Sequence, residues 1–532
     1  QARTDALGHT LAYTWDGAGR LSTLTNENGA RTQFRYDLRD RLVEETGFDG
    51  KRTTYHYNAA GELIERREAP DTPDAVRTAY ARDALGRLTH KTSADGHAAQ
   101  LTEYRYDVTG QLVLARNQDS RVEFGYDPRG LLRFERRIAL GRGETLLHEL
   151  DALGNRIATR LPDGRTVNWL LYGSGHLHQV NVDGELVCDF ERDALHREIG
   201  RTQGALTSHY RLDAEGRLLH QFAERSGKTA PVAGPLTIER RYAYDPAGQL
   251  LGIDDRRRGR TRYAYDALGL LTQALHGDGL AERFAFDPAH NLIAPNAAPL
   301  TDNRLTVFED KRYRYDSRGN LIEKKIGARE VQRFLWDADN QLIAARTTRH
   351  VGEKQQERVT RYAYDPLGRR IAKLDGQGKP RQLFLWDGNR LLMEAKRSAD
   401  TETSRLYLYE PESFTPMALV DAVATPGAMQ PGATEATEAT EAAHAQLTDG
   451  EDDDFATALM RSKAMLNRPP RAQLAETRAL GEAIQQQGPA EREGLRPTPK
   501  PTMQRMLYYH CDHLGTPQEL TDREGNIVWA AD

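Results

Sequence analysis

The stretch YAYDPAGQL at residues 242–250 shows the pattern that decides the fold. Two aromatic residues with one residue between them are followed by Asp, two further residues, Gly, any residue and Leu. Sixteen copies of this frame align on the Asp column, in which Asn58 is the one replacement. The column falls at positions 16, 37, 58, 83, 107, 127, 151, 193, 213, 245, 266, 287, 316, 337, 365 and 387, with a partial copy at Asp5. Repetition at such short intervals predicts one small structural unit used many times.

The residues before the Asp predict a β-strand. Three residues before it, fifteen of the sixteen copies carry an aromatic, and His148 is the exception. Most copies carry a second aromatic one residue before the Asp, such as Trp15 or Tyr244. Since residues two apart in a strand point to the same side, the two aromatic columns share a face and the variable residue between them lies on the other.

The Asp itself predicts a turn, because its carboxylate can accept hydrogen bonds from backbone N–H groups two residues on. Three residues later, eleven copies carry Gly, four carry Asp40, His196, His290 or Asn340, and the Arg390 copy has Gly388 and Asn389 instead. These residue types tolerate positive φ, so the column predicts a left-handed residue in a hairpin turn. We expect structural turn roles for Asp16, Gly19, Asp37, Asp107, Gly110, Asp127, Gly130, Asp245, Gly248, Asp266, Gly269, Asp316, Gly319, Asp365 and Gly368.

The residues after the turn predict a return strand. Leu occurs five residues past the Asp in thirteen copies, and the other three shift to Ile157, Ile199 and Ile371, which indicates a bulge or a slightly longer turn there. Second turn signals lie between copies, at Asn28-Gly29, Asp49-Gly50, Asp95-Gly96, Asp163-Gly164, Asp183-Gly184, Asp278-Gly279 and Asp375-Gly376. Each unit is therefore two strands and two turns, and successive units form an antiparallel meander.

The composition favours a thin wall over a solid globule. Only 38% of the 532 residues are hydrophobic and 28% are charged, which is lean for a compact protein of this length. About thirty strands exceed what one open twisted sheet holds, so the sheet is expected to coil and enclose space. A β-propeller or an array of sandwiches is the alternative, but propeller blades take about 40 residues or more and these units are half that. The predicted fold is all-β, with spiralling antiparallel hairpin repeats that form a hollow, cocoon-like shell.

Several other classes of protein are disfavoured. The formal net charge of -5 gives no attraction to nucleic acid or anionic membrane. Cys188 and Cys511 are too few for a disulfide framework or a zinc site, and no apolar run approaches the roughly 18 residues of a membrane span. The sequence starts within a repeat remnant and shows no signal peptide, so we expect it to be a fragment of a longer protein.

The cluster His510-Cys511-Asp512-His513 is the one short motif that invites a catalytic or metal hypothesis. In a strand, His510 and Asp512 would face one side and the other two residues the opposite side, so a zinc site or a thiol nucleophile would need groups from elsewhere. The repeated Asp could suggest calcium binding or acid–base chemistry, but catalysis needs one constellation and not sixteen. Interleaved Tyr and Arg could suit single-stranded nucleic acid, although aromatics at fixed strand positions fit packing better. No cofactor and no metal are expected.

The aromatic–Asp repeat with its trailing Gly-x-Leu resembles the YD repeat of Rhs proteins, Tc-toxin shell components and teneurins. The string YYHCDHLGTPQELTDREGNIVWAAD at residues 508–532 resembles the opening of the Rhs core segment of bacterial polymorphic toxins. The resemblance gives His510, Asp512, His513, Gly515 and Pro517 a structural place in that core motif. The domain organisation expected from it is repeats over 1–410, an acidic Ala/Glu/Pro-rich insertion over 424–502, and the start of the core segment over 503–532.

The resemblance implies a β-cocoon around a C-terminal toxin domain that lies outside this chain, delivered by type VI secretion or a related route in competition between bacteria. Its implied partners are the toxin domain as cargo, secretion-tip (VgrG- or PAAR-like) proteins, a chaperone and an immunity protein. The protein would be made in the bacterial cytoplasm and delivered to a target cell. In that family an aspartyl self-cleavage site lies further on, near a DPxGL signature. Asp127-Pro128, Asp245-Pro246 and Asp365-Pro366 look similar to that signature but occupy repeat turns.

Low apolar content and acidic runs predict that the insertion is disordered or partly helical, with helices possible over 455–467 and 471–487. It would be a plug or docking segment, or simply a mobile loop. Three functions remain open from the sequence: a container wall, an extracellular adhesion or receptor-binding module, and an enzyme in its own right.

Overall fold

A computed structural model describes residues 1–225, 238–295, 297–352, 354–398, 401–424 and 500–531. These residues form 42 β-strands and one turn of 3-10 helix at Thr301–Asn303, which confirms the all-β prediction. The predicted insertion, with its two possible helices, lies almost wholly outside the described residues. The strands are β1 (Ala2–Thr4), β2 (Thr10–Trp15), β3 (Leu21–Thr25), β4 (Arg31–Tyr36), β5 (Leu42–Thr46), β6 (Arg52–Tyr57), β7 (Leu63–Glu68), β8 (Val76–Arg82), β9 (Leu88–Ala94), β10 (Ala99–Tyr106), β11 (Leu112–Arg116), β12 (Ser120–Tyr126), β13 (Leu132–Ala139), β14 (Arg142–Leu150), β15 (Arg156–Arg160), β16 (Thr166–Tyr172), β17 (His176–Val182), β18 (Glu185–Arg192), β19 (Glu198–Gln203), β20 (Leu206–Leu212), β21 (Leu218–Arg225), β22 (Ile238–Tyr244), β23 (Leu250–Asp255), β24 (Gly259–Tyr265), β25 (Leu271–Leu275), β26 (Ala281–Arg283), β27 (Ala285–Phe286), β28 (Leu292–Ile293), β29 (Val307–Phe308), β30 (Lys311–Tyr315), β31 (Leu321–Ile326), β32 (Glu330–Trp336), β33 (Leu342–Val351), β34 (Lys354–Tyr364), β35 (Arg370–Leu374), β36 (Pro380–Asp387), β37 (Arg390–Arg397), β38 (Glu402–Tyr409), β39 (Pro416–Ala424), β40 (Thr502–Cys511), β41 (Pro517–Thr521) and β42 (Ile527–Ala530).

The strands form a meander in which each pairs antiparallel with the next along the chain. Strands β1–β26 make a first sheet, β29–β42 make a second sheet, and β27 pairs only with β28 between them. Within the second sheet, β39 pairs with β40 across the large gap in the described residues, with Ala418 opposite Tyr508. The closing segment, which we define as β40–β42, therefore continues the same sheet as the repeats.

The second sheet comes back against the first along a seam. The amide of Asn26 contacts Asn303 at 3.3 Å, 277 residues further along the chain. The amide of Asn117 donates to the carbonyl of Tyr364 at 2.9 Å, a separation of 247 residues, and Gln203 donates to the carbonyl of Met417 at 2.9 Å, a separation of 214. The meander therefore coils, and over these three contacts the length of one turn falls from 277 to 214 residues.

The wall is thin over much of its length. In β3 and β5 every residue is only half-buried, as expected where both faces of a sheet remain accessible. The largest buried cluster lies where β14–β18 meet β36–β40. It includes Leu146, Val167, Val180, Val187, Phe190, Leu406, Met417, Val420, Met506 and Tyr508. Apolar residues are thus concentrated where two layers of sheet meet.

A β-bulge follows nearly every aspartate turn, which the sequence did not reveal. In the second copy, Tyr36 pairs with Leu42 while Arg35 pairs with Glu44, so one residue of the return strand has no partner. The copies with Ile157, Ile199 and Ile371 keep this register, with Arg156, Glu198 and Arg370 at the position that Leu holds elsewhere. The bulge predicted for those three copies is therefore present, but it belongs to the repeat itself and does not explain the shift to Ile.

Candidate functional site: the aspartate turns and the closing segment

The aspartate turns share a pattern of short hydrogen bonds, of which there are four in the fullest form. In the first complete copy, Oδ1 of Asp16 accepts from the backbone N–H groups of Ala18 at 2.9 Å and Arg20 at 3.0 Å. The N–H of Asp16 donates to the carbonyl of Arg20 at 2.9 Å, and that of Gly19 donates to the carbonyl of Asp16 at 3.0 Å. The carboxylate therefore occupies the inside of the turn, where it pairs backbone donors that the reversal would otherwise leave without partners.

The same geometry recurs at the other predicted turn residues. Backbone hydrogen bonds of this pattern close the turns that start at Asp37, Asp107, Asp127, Asp245, Asp266, Asp316 and Asp365. The fourth residue has positive φ at Gly19, Gly110, Gly130, Gly248, Gly269, Gly319 and Gly368. The replacements Asp40, His196, His290 and Asn340 also have positive φ, between 58° and 63°, which confirms the backbone prediction for that column. One of the turns predicted between copies, Asp375-Gly376, was assigned to the wrong glycine. The residue with positive φ after Asp375 is Gly378, not Gly376.

An arginine four residues after the Asp joins one copy to the next. Nε of Arg20 donates to Oδ2 of Asp16 at 2.8 Å, and its Nη1 donates to the carbonyl of Asp37 at 3.0 Å. Its guanidinium also lies over the ring of Tyr36, 5.0 Å from the centroid. In the next copy, the hydrogen bond from Arg41 lowers the pKa of Asp37 to about 2. Asp37 is therefore engaged as a charged acceptor.

The aromatic directly before the Asp also links copies, through a donor that the sequence analysis missed. The hydroxyl of Tyr57 donates to the carbonyl of Leu42, in the preceding copy, at 2.8 Å. Equivalent bonds run from Tyr36, Tyr126, Tyr244, Tyr265, Trp336, Tyr364 and Trp386. A signal was present: this column contains one Phe in sixteen copies, whereas the column two residues earlier contains six. Tyr and Trp are selected here because Phe has no donor.

We expect Tyr265→Phe to lower the free energy of unfolding by about 1 kcal/mol, because the variant keeps the ring but loses one neutral hydrogen bond to Leu250. The matched control is Tyr263→Phe, since the hydroxyl of Tyr263 makes no hydrogen bond within the part of the chain that the structure describes. Chemical denaturation of both variants checks this. Equal stabilities would contradict a role for the hydroxyl in linking copies.

Two turns are more complete than the sequence alignment indicated. Asp5, taken as a partial copy, makes the complete turn, with Leu7 and His9 both donating to Oδ1 at 2.9 Å. The core motif contains another: Oδ1 of Asp512 accepts from Leu514 at 2.9 Å and Thr516 at 3.0 Å, and Gly515 has φ of 79°. The core motif thus begins as one more aspartate turn.

The four residues of the His-Cys-Asp-His cluster are not brought together as a reactive site. His510 is buried and its Nε2 lies 2.9 Å from the hydroxyl of Thr521, whereas Asp512 holds its own turn. Burial raises the pKa of Cys511 to about 12, which keeps it a thiol at neutral pH. His513 packs against Tyr242, with ring centroids 5.2 Å apart, and Pro517 pairs with Cys511 at the start of β41. Within the described ranges, no group of three His, Cys, Asp or Glu residues is arranged to hold a metal ion.

The closing segment is fastened to the first sheet by buried charges. Glu519 on β41 forms an ion pair with Arg240 on β22, and Arg240 also donates to Oδ2 of Asp255 at 2.8 Å. All three are at least 92% buried, with Arg240 2% exposed. Further along, the N–H of Ala205 donates to the carbonyl of Arg523 at 2.8 Å. These contacts join residues about 280 to 320 apart in sequence, and they use both side chains and backbone.

We expect acid to weaken the closing segment through His510. Burial, together with the nearby Arg240 and Arg201, lowers its pKa from 6.5 to about 3. Since the unfolded chain takes up this proton below pH 6.5 and the folded chain does not, the stabilisation is complete above pH 6.5 and is lost as the pH falls towards 3. The loss is about 1.4 kcal/mol for each pH unit.

Denaturation at pH 7 and pH 5 measures this loss. The variant His510→Gln should show a smaller difference between the two pH values than the wild type, and the exposed-site control His97→Gln should match the wild type. An unchanged difference in His510→Gln would show that other groups carry the acid sensitivity.

Three family models match the chain. The model described as RHS Repeat matches residues 1–31, 16–52 and 83–118, the Teneurin YD-shell model matches 243–409, and the RHS protein model matches 507–532. The chain belongs to the Rhs family of YD-repeat proteins. The Rhs core match starts on β40, so the closing segment is the part that the family model recognises as distinct from the repeats.

Two curated toxins align with nearly the whole Rhs chain. It is 32% identical to the double-stranded DNA deaminase toxin A of Burkholderia cenocepacia over 563 residues, which covers 99% of this chain and 33% of that protein. It is 34% identical to the toxin protein Tse5 of Pseudomonas aeruginosa over 487 residues, which covers 84% of this chain and 33% of that protein. The chain therefore spans about a third of the length of these relatives.

Solved structures share the fold of the Rhs chain. A chain of the Photorhabdus luminescens Tc holotoxin pore superimposes with a TM-score of 0.67 at 13% identity, covering 100% of this chain and 26% of the other. A crystal structure of TcdB2-TccC3 without its hypervariable C-terminal region gives a TM-score of 0.63 at 12% identity, with coverage of 100% and 26%. Together with the antiparallel pairing of successive strands within both long sheets, these matches confirm the prediction of a spiralling antiparallel wall that forms a cocoon-like shell. Among the described residues, no helix has the length and apolar content needed to cross a membrane.

Proposed function

We propose that this Rhs chain is a wall segment of a shell that encloses a toxin domain carried by another part of the same polypeptide. The observation that carries the proposal is the seam: two long sheets meet through hydrogen bonds, buried ion pairs and one local apolar cluster, whereas strands such as β3 and β5 have every residue only half-buried. The two toxin relatives support a toxin as the cargo. Neighbouring strands of a sheet lie about 4.8 Å apart, so a wall of paired strands would keep a protease from what lies behind it.

The chain's own groups support a structural role and not catalysis. The aspartates of the turns are occupied by backbone donors and arginines, and His510 and Cys511 are buried in the closing segment. We propose that repeats span 1–410, that an insertion over 424–502 separates the paired strands β39 and β40 in sequence, and that 503–532 begins the core segment. Any toxin activity and any aspartyl self-cleavage would belong to residues outside this chain.

The proposed biological setting is delivery into a competing bacterium by type VI secretion, with synthesis in the bacterial cytoplasm. The relation to Tse5 and to the deaminase toxin supports a delivered effector. In that setting the further partners would be secretion-tip proteins of the VgrG or PAAR kind, a chaperone and an immunity protein.

Limited proteolysis of the longer polypeptide tests the container. We expect the toxin domain to resist protease while it is joined to the intact wall, and to be digested when the wall is destabilised by Arg240→Met. Single-particle images should show a hollow particle with density inside. A toxin domain that is equally sensitive with and without the wall would overturn the proposal, and receptor or glycan binding by the isolated repeats would favour an adhesion module instead.

A further inference from the structure

One turn of the first sheet carries the densest basic run of the chain. Residues 256–262 read RRRGRTR, so five of the seven are arginines, and all five are exposed. The run covers the turn after β23 and the first part of β24, and we call it the arginine hairpin. Oδ1 of the buried Asp255 accepts from the N–H groups of Arg257 at 2.8 Å and Arg258 at 3.1 Å. These bonds fix the backbone of the turn, so the arginines are presented on a rigid support.

Few carboxylates neutralise these arginines. Nη1 of Arg256 lies 3.9 Å from Oε2 of Glu239, at the limit of an ion pair. Arg258 donates to a neutral group, the side-chain oxygen of Gln518, at 2.5 Å. In the part of the chain that the structure describes, no ion pair forms at the remaining three, which are Arg257, Arg260 and Arg262. The hairpin therefore holds several positive charges that repel one another and have no local counter-charge.

Two of these arginines lie on one face of the sheet. Arg260 and Arg262 alternate along β24 with Thr261 and Tyr263, so the tyrosine is on the opposite face. The residue opposite Arg262 on β23 is Gly252, which has no side chain to cover the guanidinium. Residues two apart in a strand are separated by about 7 Å, which is also the spacing of alternate side chains along an extended peptide. The two guanidinium groups can thus meet alternate carboxylates of an extended acidic segment.

The surroundings of the arginine hairpin favour an acidic polypeptide over a nucleic acid. Single-stranded nucleic acid is bound by a continuous basic groove with aromatic side chains on the same surface for its bases. Here the aromatic residues of β24 lie on the other face, and carboxylates interrupt the basic surface. Asp254 is exposed opposite Arg260, and Glu239 lies on the next strand, β22. The basic surface is therefore one hairpin wide and suits a short acidic segment.

A segment of the same chain has the complementary charge. Residues 433–454, which we call the acidic stretch, contain eight Asp or Glu and no Lys or Arg, and four of the eight are consecutive at 451–454. Residues 425–499 as a whole carry 12 acidic and 7 basic side chains, so they account for the formal charge of -5. The rest of the chain has 66 of each sign. The acidic excess of the protein is therefore confined to the part of the sequence that contains the acidic stretch.

The acidic stretch is long enough to reach the arginine hairpin. Val423, near the end of β39, lies opposite Thr502, where β40 begins. Strand β40 has ten residues and is about 33 Å long, and Gln518, which contacts the hairpin, lies on β41 beside its far end. Fully extended, residues 425–451 could span about 90 Å. The distance along the closing segment is therefore well within the reach of residues 451–454.

We infer that the arginine hairpin is the docking surface for the acidic stretch of the same chain. Charge complementarity, the spacing of Arg260 and Arg262, and the length of the connecting chain argue for this occupant. The contact is between exposed charges, so salt should weaken it: the screening length falls from about 10 Å at 0.1 M to about 3 Å at 1 M. The inference goes beyond the proposed wall and does not depend on what the wall encloses.

Chemical modification of arginines by phenylglyoxal, mapped by mass spectrometry, tests the inference on the full chain. The neutralised variant carries Glu451→Gln, Asp452→Asn, Asp453→Asn and Asp454→Asn. At low salt we expect the three unpaired arginines of the hairpin to react several-fold faster in the neutralised variant than in the wild type. In about 1 M NaCl the two proteins should react alike. The matched controls are three exposed arginines of the second sheet for which the described residues supply no ion pair, namely Arg312, Arg358 and Arg361.

A labelled peptide with the sequence of residues 433–454 provides the second arm, with the neutralised variant as its receptor. Reversing three charges of the hairpin should weaken peptide binding at least tenfold, through Arg257→Glu, Arg260→Glu and Arg262→Glu. Arg→Lys changes at the same positions keep the charge and should retain most of the binding. The dispersed control, with the same number of charges reversed, should bind the peptide like the unmodified receptor, and it carries Arg312→Glu, Arg358→Glu and Arg361→Glu.

Three results would overturn the inference. The first is equal reactivity of the hairpin arginines in the wild type and the neutralised variant, or peptide binding that the charge reversal leaves unchanged. The second is protection of the hairpin that rises with protein concentration, which would identify a second copy of the chain as the occupant. The third is displacement of the labelled peptide by a single-stranded oligonucleotide at a lower concentration than by unlabelled peptide, which would identify a nucleic-acid site.

Discussion

Replacing Arg240 with Met is expected to lower the free energy of unfolding by about 3–5 kcal/mol, the cost of leaving a buried carboxylate without its partner. Glu519 is 1% exposed and Asp255 8%, so neither can recover its solvation by turning towards water. Since Glu519 lies on β41 and Arg240 on β22, the loss should fall on the contact between the closing segment and the first sheet. Chemical denaturation measures the total loss in the free energy of unfolding. Hydrogen exchange should show that the amides that exchange faster lie in β40–β42.

The neighbouring residue supplies a matched control for that variant. Arg241 also pairs with a glutamate, Glu239, at 2.6 Å, but its side chain is 65% exposed. Arg241→Met should therefore change stability little, as exposed ion pairs usually do. The double variant Arg240→Met with Glu519→Met should recover part of the loss, because it removes the charge of Glu519 and leaves only Asp255, which still accepts from the N–H groups of Arg257 and Arg258. If the double variant were as unstable as the sum of the single variants, the pair could not be what fastens the closing segment.

The repeat and its turn could be predicted because their information is local. Asp, the positive-φ column and the aromatic columns lie within nine residues, and each has a physical cause in the backbone of one hairpin. The seam could not be predicted in the same way. Asn117 and Tyr364 meet 247 residues apart, and nothing near either residue specifies the other. Their contact depends on how far the sheet twists at each repeat, which is accumulated over many strands.

The closing segment shows the same division. Its turn at Asp512 follows the repeat frame and was available in the sequence, although the core motif was treated as a separate feature. The partner of Glu519 could not be predicted from the sequence, because a chain with 73 Lys and Arg residues offers many candidate cations. The tyrosine hydroxyls are an intermediate case. The preference for Tyr and Trp over Phe in their column indicates a hydrogen-bond donor, but the acceptor, a carbonyl of the preceding copy, is known only from the structure.

Asp365→Ala is expected to lower the free energy of unfolding far more than the same change at Asp16, which lies outside the seam. The difference between the two variants measures how much the contacts across the seam add to the stability of one turn. Asp365 is 1% exposed and accepts from the N–H groups of Leu367 at 3.0 Å and Arg369 at 2.9 Å, and from Nε of Arg369 at 2.6 Å. Arg369 in turn donates to Glu135 of the first sheet at 2.5 Å. The variant leaves two backbone donors and a buried guanidinium short of a partner, so we expect a loss of about 3–5 kcal/mol.

Asp16 makes the same turn at an accessible position, where water can replace the carboxylate, so Asp16→Ala should be much milder. Asp365→Asn should lie between wild type and Asp365→Ala, because an amide oxygen can still accept from the two N–H groups, as Asn58 does from Glu62 at 3.0 Å. Denaturation of the three variants side by side provides the measurement. Similar losses for Asp16→Ala and Asp365→Ala would mean that the turn acts alone, whereas the expected difference would show that each aspartate in the seam stabilises its own hairpin and the contact between successive windings.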